Sequence, residues 1–249
     1  MQYFDYTQAP YRIRNGLAQA HRAYWARLGQ AGSWWTGGER VAMAAEARHA
    51  ISREYCRERK AALCPYVVTG EHAHAADTPL PLAAIDAVHR IVTNQQRITG
   101  PWGAGLAAVG IRQEAYVELC GVVVAVFSID EFHRALGLPL ERLPVAATGA
   151  PSGYSPARLR ADTGFVPMLA DDVVHGAEAD LWVKGRSASV LRALSAVPDA
   201  VRDWLAHAAA QYLSIAGIGN YLRDPGRAID RLQMALVAGR ASAINQCFC

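Results

Sequence analysis

The sequence contains five cysteines, the residues best suited to nucleophilic or redox chemistry, and they are unevenly spaced along the chain. Cys247 and Cys249 stand close together at the end of the chain, and Cys56 lies in an arginine-rich stretch. The cations around Cys56 are Arg53, Arg57, Arg59 and Lys60. Nearby cations lower the pKa of a thiol and so favour the nucleophilic thiolate, which makes Cys56 a candidate catalytic residue. Cys120 lies in an apolar run and is expected in the core, while Cys64 is expected to have no functional role.

Two histidines, His72 and His74, flank an alanine after Glu71 and follow Cys56 and Cys64 along the chain. Histidine and cysteine side chains together raise the question of a metal site. Their spacing, however, matches no strong zinc signature. We therefore expect a polar loop here, with no metal and no cofactor.

Glu118 is a second candidate catalytic residue, because a neighbouring helix could present its carboxylate as a proton relay. The favoured alternative is that this carboxylate hydrogen-bonds an internal amide. Asp130 and His133 lie three residues apart near Glu118, faintly like a di-iron helix. A di-iron bundle needs four carboxylates and two Glu-x-x-His pairs, which the sequence lacks. His133 is therefore expected to make a partly buried polar contact.

Apolar residues recur at helical spacing along most of the chain, which predicts an all-α fold without a convincing strand pair. The predicted helices cover residues 15–30, 37–63, 80–94, 114–136, 187–195, 198–217 and 225–246. Thr36 and Glu39 have the form of a capping box, and Gly137 and Pro139 should stop the fourth helix. Residues 122–127 have strand propensity, but the length of the uninterrupted segment favours a buried helix.

Composition sets limits on the class of protein. Of 249 residues, 52% are hydrophobic, which excludes a disordered chain. The longest apolar run, residues 119–129, is too short for a bilayer, which needs about 20 residues. Without a recognisable signal peptide or a dense basic stripe, the sequence predicts a cytoplasmic protein that binds neither membrane nor nucleic acid. The odd number of cysteines argues against a secreted disulfide framework.

Two segments repeat one pattern, a helix that runs into a cysteine. The first leads from Thr36 to Cys56, and the second from Arg231 to Cys247, where the string Ala-Ser-Ala-Ile-Asn-Gln-Cys is the most specific part. Together with the long apolar helix after Glu114, they resemble the alkylhydroperoxidase AhpD and carboxymuconolactone decarboxylase superfamily. This resemblance implies an AhpD-like helical bundle of two related halves and a homo-oligomer. The predicted parts are residues 1–138, a proline-rich connector over 139–186, and an incomplete half over 187–249.

The resemblance also implies thiol peroxidation, in which a Cys-x-x-Cys pair at a helix start works with a Glu and a His. This sequence departs from that pattern. Arg53 stands at the resolving position before Cys56, Val41 replaces the Glu, and Lys60 replaces the His. In the second copy Cys247 matches the first cysteine, and Ala235 replaces the Glu.

Cys249 falls one residue before the expected second cysteine. Some relatives carry selenocysteine there, and its UGA codon is read as a stop by ordinary gene prediction. We therefore hypothesise that the natural protein continues with selenocysteine after Cys249.

The predicted function is reduction of hydroperoxides by a thiol or selenol, with a dithiol protein or a small thiol as reductant. The candidate catalytic residues are Cys247, Cys56, Cys249 and Glu118. The missing Glu and His leave open a non-catalytic oligomeric or ligand-binding scaffold of the same fold. A decarboxylase-type enzyme is a further alternative, although its site cannot be assembled from these residues.

Overall fold

Helices dominate the computed structural model, which describes residues 3–64, 67–74, 77–161, 164–172, 175–183, 187–214, 217 and 227–244. The α-helices are α1 (Asn15–Leu28), α2 (Gly37–Ser52), α3 (Glu54–Ala61), α4 (Leu82–Thr93), α5 (Gly100–Ala108), α6 (Gln113–Ala135), α7 (Ser189–Arg192), α8 (Pro198–Gln211) and α9 (Arg231–Ile244). Short 3₁₀ helices span Gln95–Arg97 and Gly176–Glu178. The all-α class predicted from the sequence is confirmed in this coarse form.

The core is built around α6, the longest helix in the described part of the chain. Leu119, Val123, Val126 and Ile129 are completely buried, and the helix packs against α2, α4 and α8. Alanines on α2, among them Ala44 and Ala50, are also buried, and such small side chains let neighbouring helices approach closely. The valine-rich stretch is therefore a buried helix, as its length predicted, because packing overrides strand propensity.

The predicted capping box begins α2. The Thr36 hydroxyl accepts the Glu39 amide N–H at 3.3 Å, and the Glu39 carboxylate accepts the Thr36 N–H at 2.8 Å. The prediction of one helix from 37 to 63 is wrong, because the helix is interrupted at Arg53, whose backbone is extended (φ −73°, ψ 131°). A new helix, α3, starts at the next residue. Cys56 consequently lies in the first turn of a helix rather than in the middle of one.

The connector and the segment after it pack onto the first helices. Gly29 and Gly32 carbonyls accept the amides of Ala147 and Ser152 at 2.8 and 3.0 Å, and α8 contacts both α1 and α6. A two-stranded antiparallel pair, β1 (Leu159–Arg160) and β2 (Met168–Leu169), corrects the expectation of no strands. It went unpredicted because two-residue strands show no periodicity.

One further difference is a short helix between α4 and α6. The sequence did not predict α5, because its glycines and proline are poor helix formers. The helix is capped by Thr99, whose side chain accepts the Trp102 N–H. The predicted start of the last helix at residue 225 lies outside the described residues, as do Cys247 and Cys249.

None of the described helices is long and apolar enough to cross a bilayer. The homo-oligomer stays a prediction.

Candidate functional site

Cys56 faces the interior from the first turn of α3. Its side chain is almost completely buried, and Sγ lies 3.1 Å from Nδ1 of His89 on α4. The break at Arg53 makes this contact possible, because it changes the chain direction and lets α3 pack against α4 as well as α2. The thiol is therefore within hydrogen-bonding distance of an imidazole.

Behind His89 stands a buried carboxylate. Nε2 of His89 lies 3.2 Å from Oε2 of Glu46 on α2, and both side chains are nearly inaccessible to solvent. Burial lowers the pKa of His89 to about 4, although Glu46 opposes this shift. The neutral ring satisfies both neighbours when Nε2–H donates to Glu46 and Nδ1 accepts the thiol proton. Cys56, His89 and Glu46 thus form a thiol–imidazole–carboxylate chain.

The carboxylate of Glu46 also connects to the helix break. Nδ1 of His49, one turn along α2, lies 3.6 Å from Oε2 of Glu46. The guanidinium of Arg53 lies 3.2 Å from the same His49 nitrogen. Arg53, the residue between α2 and α3, is thus connected through His49 to Glu46.

A second histidine approaches the thiol from outside. His72 belongs to an irregular, exposed segment, yet its side chain turns inward and is only 9% exposed. Its Nδ1 lies 3.5 Å from Cys56 Sγ, and its Nε2 lies 3.1 Å from Oδ1 of Asp86. Burial acts to raise the pKa of Asp86, but contacts with His72, Arg90 and Trp102 outweigh it and hold the pKa at about 2. Asp86 is therefore ionised beside His72.

The electrostatic setting of the thiol differs from the sequence-based expectation. Burial raises the pKa of Cys56, and contacts with Thr93 and Arg53 only partly counter it. Arg57 and Lys60, which were expected to favour the thiolate, are exposed on the outer side of α3. The surrounding cations therefore do not lower the pKa of Cys56 below its ordinary value, and His89 is the base within reach of its proton.

A small cavity gives access to the cluster. It has a volume of about 270 Å³ and is lined by Cys56, His72 and His89 together with Arg53, Glu54, Tyr55, Glu71 and Ala73. This space suits a small molecule. Because the thiol and both imidazoles line one cavity, a ligand there would meet all three groups.

Comparison of the chain with protein-family models, curated proteins and solved structures found no match.

The other residues predicted from the sequence do not join this site. Glu118 lines a different cavity, where it accepts the Trp34 N–H at 2.7 Å and lies 3.6 Å from Arg40 Nε. This is the amide contact that the favoured alternative predicted. Cys120 lies on α6, where burial raises its pKa to about 12, and Cys64 is exposed. Cys247 and Cys249 lie outside the described residues.

Sequence reasoning missed Glu46, Asp86 and His89. Each lies on a predicted helix, but charged or imidazole groups on a helix are ordinarily solvated, and nothing local marks these as buried. The sequence indicated His72 only as part of a weak metal-binding pattern. Among the residues of that pattern, the structure places His72 beside Cys56. The pair Glu46 and His49, three residues apart on one helix, has the spacing of an ordinary surface pair and so gave no signal of the site.

Proposed function

We propose that this protein is a thiol-dependent oxidoreductase that reduces small hydroperoxides, with Cys56 as the attacking residue. The observation that carries the proposal is the buried chain from Cys56 through His89 to Glu46. A nucleophile within reach of a base, which is itself oriented by a third group, is the usual arrangement of an activated thiol.

The chemistry assigns a role to each group. His89 accepts the proton of Cys56 in the same step in which the sulfur attacks one peroxide oxygen, so that an S–O bond forms while the O–O bond breaks. His89 returns the proton to the departing oxygen, which leaves as an alcohol or as water. The sulfur is oxidised to a sulfenic acid as the peroxide is reduced. An external thiol then displaces water to give a mixed disulfide, and a second thiol restores Cys56 and departs in a disulfide.

The proposed site departs from the AhpD-like pattern, although it keeps that pattern's chemistry. The family positions for Glu and His hold Val41 and Lys60 in this chain. Glu46 lies on the same helix as Val41, while His89 comes from α4, so the equivalent groups arrive from other positions. Arg53 replaces the resolving cysteine, which is why the proposed cycle uses an external thiol. A two-half AhpD-like arrangement remains part of the proposal.

One observation favours the alternative of a non-catalytic scaffold. Burial raises the pKa of Cys56, and an inert structural cysteine would have the same property. The two functions differ in the reactivity of the thiol at neutral pH: the oxidoreductase requires a sulfenic acid at Cys56, whereas the scaffold requires none.

The test is consumption of hydrogen peroxide and of tert-butyl hydroperoxide by the full chain in the presence of excess dithiothreitol. A Cys56→Ser variant should lose turnover, and Cys120→Ser, which replaces a half-buried thiol on α6, should retain it. Mass spectrometry after one equivalent of peroxide should place the added oxygen on Cys56. Absence of both turnover and oxidation at Cys56 in the folded wild-type protein would favour the scaffold.

A further inference from the structure

The thiol cavity brings together three side chains that are all metal ligands in proteins. One donor atom each from Cys56, His72 and His89 lies within 4.8 Å of the other two. The three residues come from α3, from the irregular segment before α4, and from α4 itself. From this convergence we propose that Cys56 Sγ, His72 Nδ1 and His89 Nδ1 form a binding site for Zn²⁺.

The spacing of the donor atoms suits tetrahedral zinc. Zn–S and Zn–N bonds of about 2.3 and 2.0–2.1 Å at a tetrahedral angle place sulfur and nitrogen about 3.5 Å apart. The Cys56 sulfur lies 3.5 Å from Nδ1 of His72 and 3.1 Å from Nδ1 of His89. Both sulfur–nitrogen distances therefore fit one tetrahedral ion, and the two nitrogens lie within 4.8 Å of each other.

Both imidazoles have the backing that metal-bound histidines normally have. Each ring directs Nδ1 towards Cys56, while Nε2 lies 3.2 Å from Glu46 for His89 and 3.1 Å from Asp86 for His72. A carboxylate behind an imidazole favours the proton on Nε2 and leaves the Nδ1 lone pair for a metal. Glu46 contacts His89 in this way through a hydrogen bond, whereas Asp86 lies at ion-pair distance from Nε2 of His72 without hydrogen-bond alignment. One hydrogen-bonded carboxylate–histidine pair and one at ion-pair distance thus converge on the same sulfur.

The donor set selects the kind of metal. One thiolate and two imidazoles favour zinc over magnesium or calcium, which prefer oxygen ligands. Three protein ligands leave the fourth tetrahedral position free, and the cavity of about 270 Å³ provides room for water or a small ligand there. Three ligands with an open position are typical of reactive rather than purely structural zinc sites.

Metal binding would control the thiol. Zn²⁺ displaces the Cys56 proton, forms a zinc–sulfur bond and occupies the Nδ1 of His89 that otherwise accepts that proton. The metal-bound sulfur would then be masked, and peroxide would oxidise Cys56 only after zinc leaves. This regulatory consequence rests on the proposed peroxidase function, whereas zinc binding itself does not.

The experiment is titration of the chelator-treated full chain with Co²⁺ and then Zn²⁺, with no hydroperoxide present. We expect one Co²⁺ per chain with a thiolate-to-cobalt charge-transfer band and the visible absorption of a tetrahedral ion, and we expect Zn²⁺ to abolish both. Cys56→Ser should remove the charge-transfer band. His72→Ala should weaken zinc binding by more than roughly 100-fold, and Asp86→Asn by about 10–100-fold.

A matched control is His74→Ala, which removes a histidine two residues along the same exposed segment and should leave affinity unchanged. Because His72 belongs to that exposed segment, its replacement tests the site even if Cys56→Ser does not fold. Zinc binding that persists in His72→Ala, or cobalt binding without a charge-transfer band, would overturn the proposal. Zinc binding without peroxide turnover would leave the metal site standing and remove only its regulatory role.

Discussion

Replacing Glu46 by Gln removes the negative charge behind His89 while the size and shape of the side chain are kept. In the wild-type protein Oε2 of Glu46 lies 3.2 Å from Nε2 of His89, and both groups are buried. The charge matters most when His89 has accepted the proton of Cys56, because the ring is then a cation. We therefore expect Glu46→Gln to slow oxidation of Cys56 rather than to abolish folding.

The size of the effect follows from the distance. At an effective dielectric constant of about 20, unit charges about 3.2 Å apart attract by about 5 kcal/mol. If about half of the positive charge has developed on His89 in the transition state, the loss is about 2.5 kcal/mol. At about 1.4 kcal/mol per factor of ten, this predicts a rate roughly 60-fold lower.

The assay is single-turnover oxidation of metal-free protein by hydrogen peroxide, with loss of titratable Cys56 thiol followed by mass spectrometry. Glu118→Gln is the matched comparison, since it neutralises another buried carboxylate, one that accepts the Trp34 amide in a separate cavity. Its rate should equal that of the wild-type protein. Equal rates for Glu46→Gln and the wild type, with both folded, would refute the role of Glu46. A slow Glu118→Gln would restore Glu118 as a proton relay.

Three further predictions concern stability, each measured by urea unfolding. Burial lowers the pKa of His21 from 6.5 to about 3, so that, as the pH falls, the unfolded state binds a proton before the folded state does. The stability that is present above pH 6.5 is therefore lost as the pH falls towards 3. The His21 contribution should fall by about 2 kcal/mol between pH 7 and pH 5, and His21→Gln should flatten this dependence; an unchanged slope would contradict the assignment. Asp130→Asn removes the charge from the partly buried two-bond pair with Arg48 (2.7 and 2.8 Å) and should cost about 1.5–3 kcal/mol, whereas a cost below about 1 kcal/mol would show that the pair is dispensable. Thr36→Ala should cost about 1 kcal/mol by removing the cap of α2, and Thr36→Ser should recover most of it unless the hydroxyl plays no part.

Local features of the fold were predictable because they depend on neighbouring residues. Thr36 and Glu39 predicted the start of α2, and Gly137, with a backbone φ of +67°, ends α6 as its position indicated. Helix starts and stops obey short-range hydrogen bonding, so the residue types nearby suffice. The break at Arg53 was not predictable in this way, because no Gly or Pro marks it and alanine-rich sequence on its N-terminal side favours a continuous helix.

For the candidate site, the sequence by itself determined that Cys56 is a reactive-type residue in a helical segment. Only the tertiary structure decided its partners. Glu46, His72 and His89 stand 10, 16 and 33 residues from Cys56 in the chain, and nothing in their spacing says that they meet. They meet because α3 leaves the line of α2 at Arg53 and packs against α4, while an exposed segment turns His72 inward. Burial of these groups together, a property of packing rather than of composition, is what converts an ordinary cysteine into a thiol with a base, a carboxylate and a set of metal ligands around it.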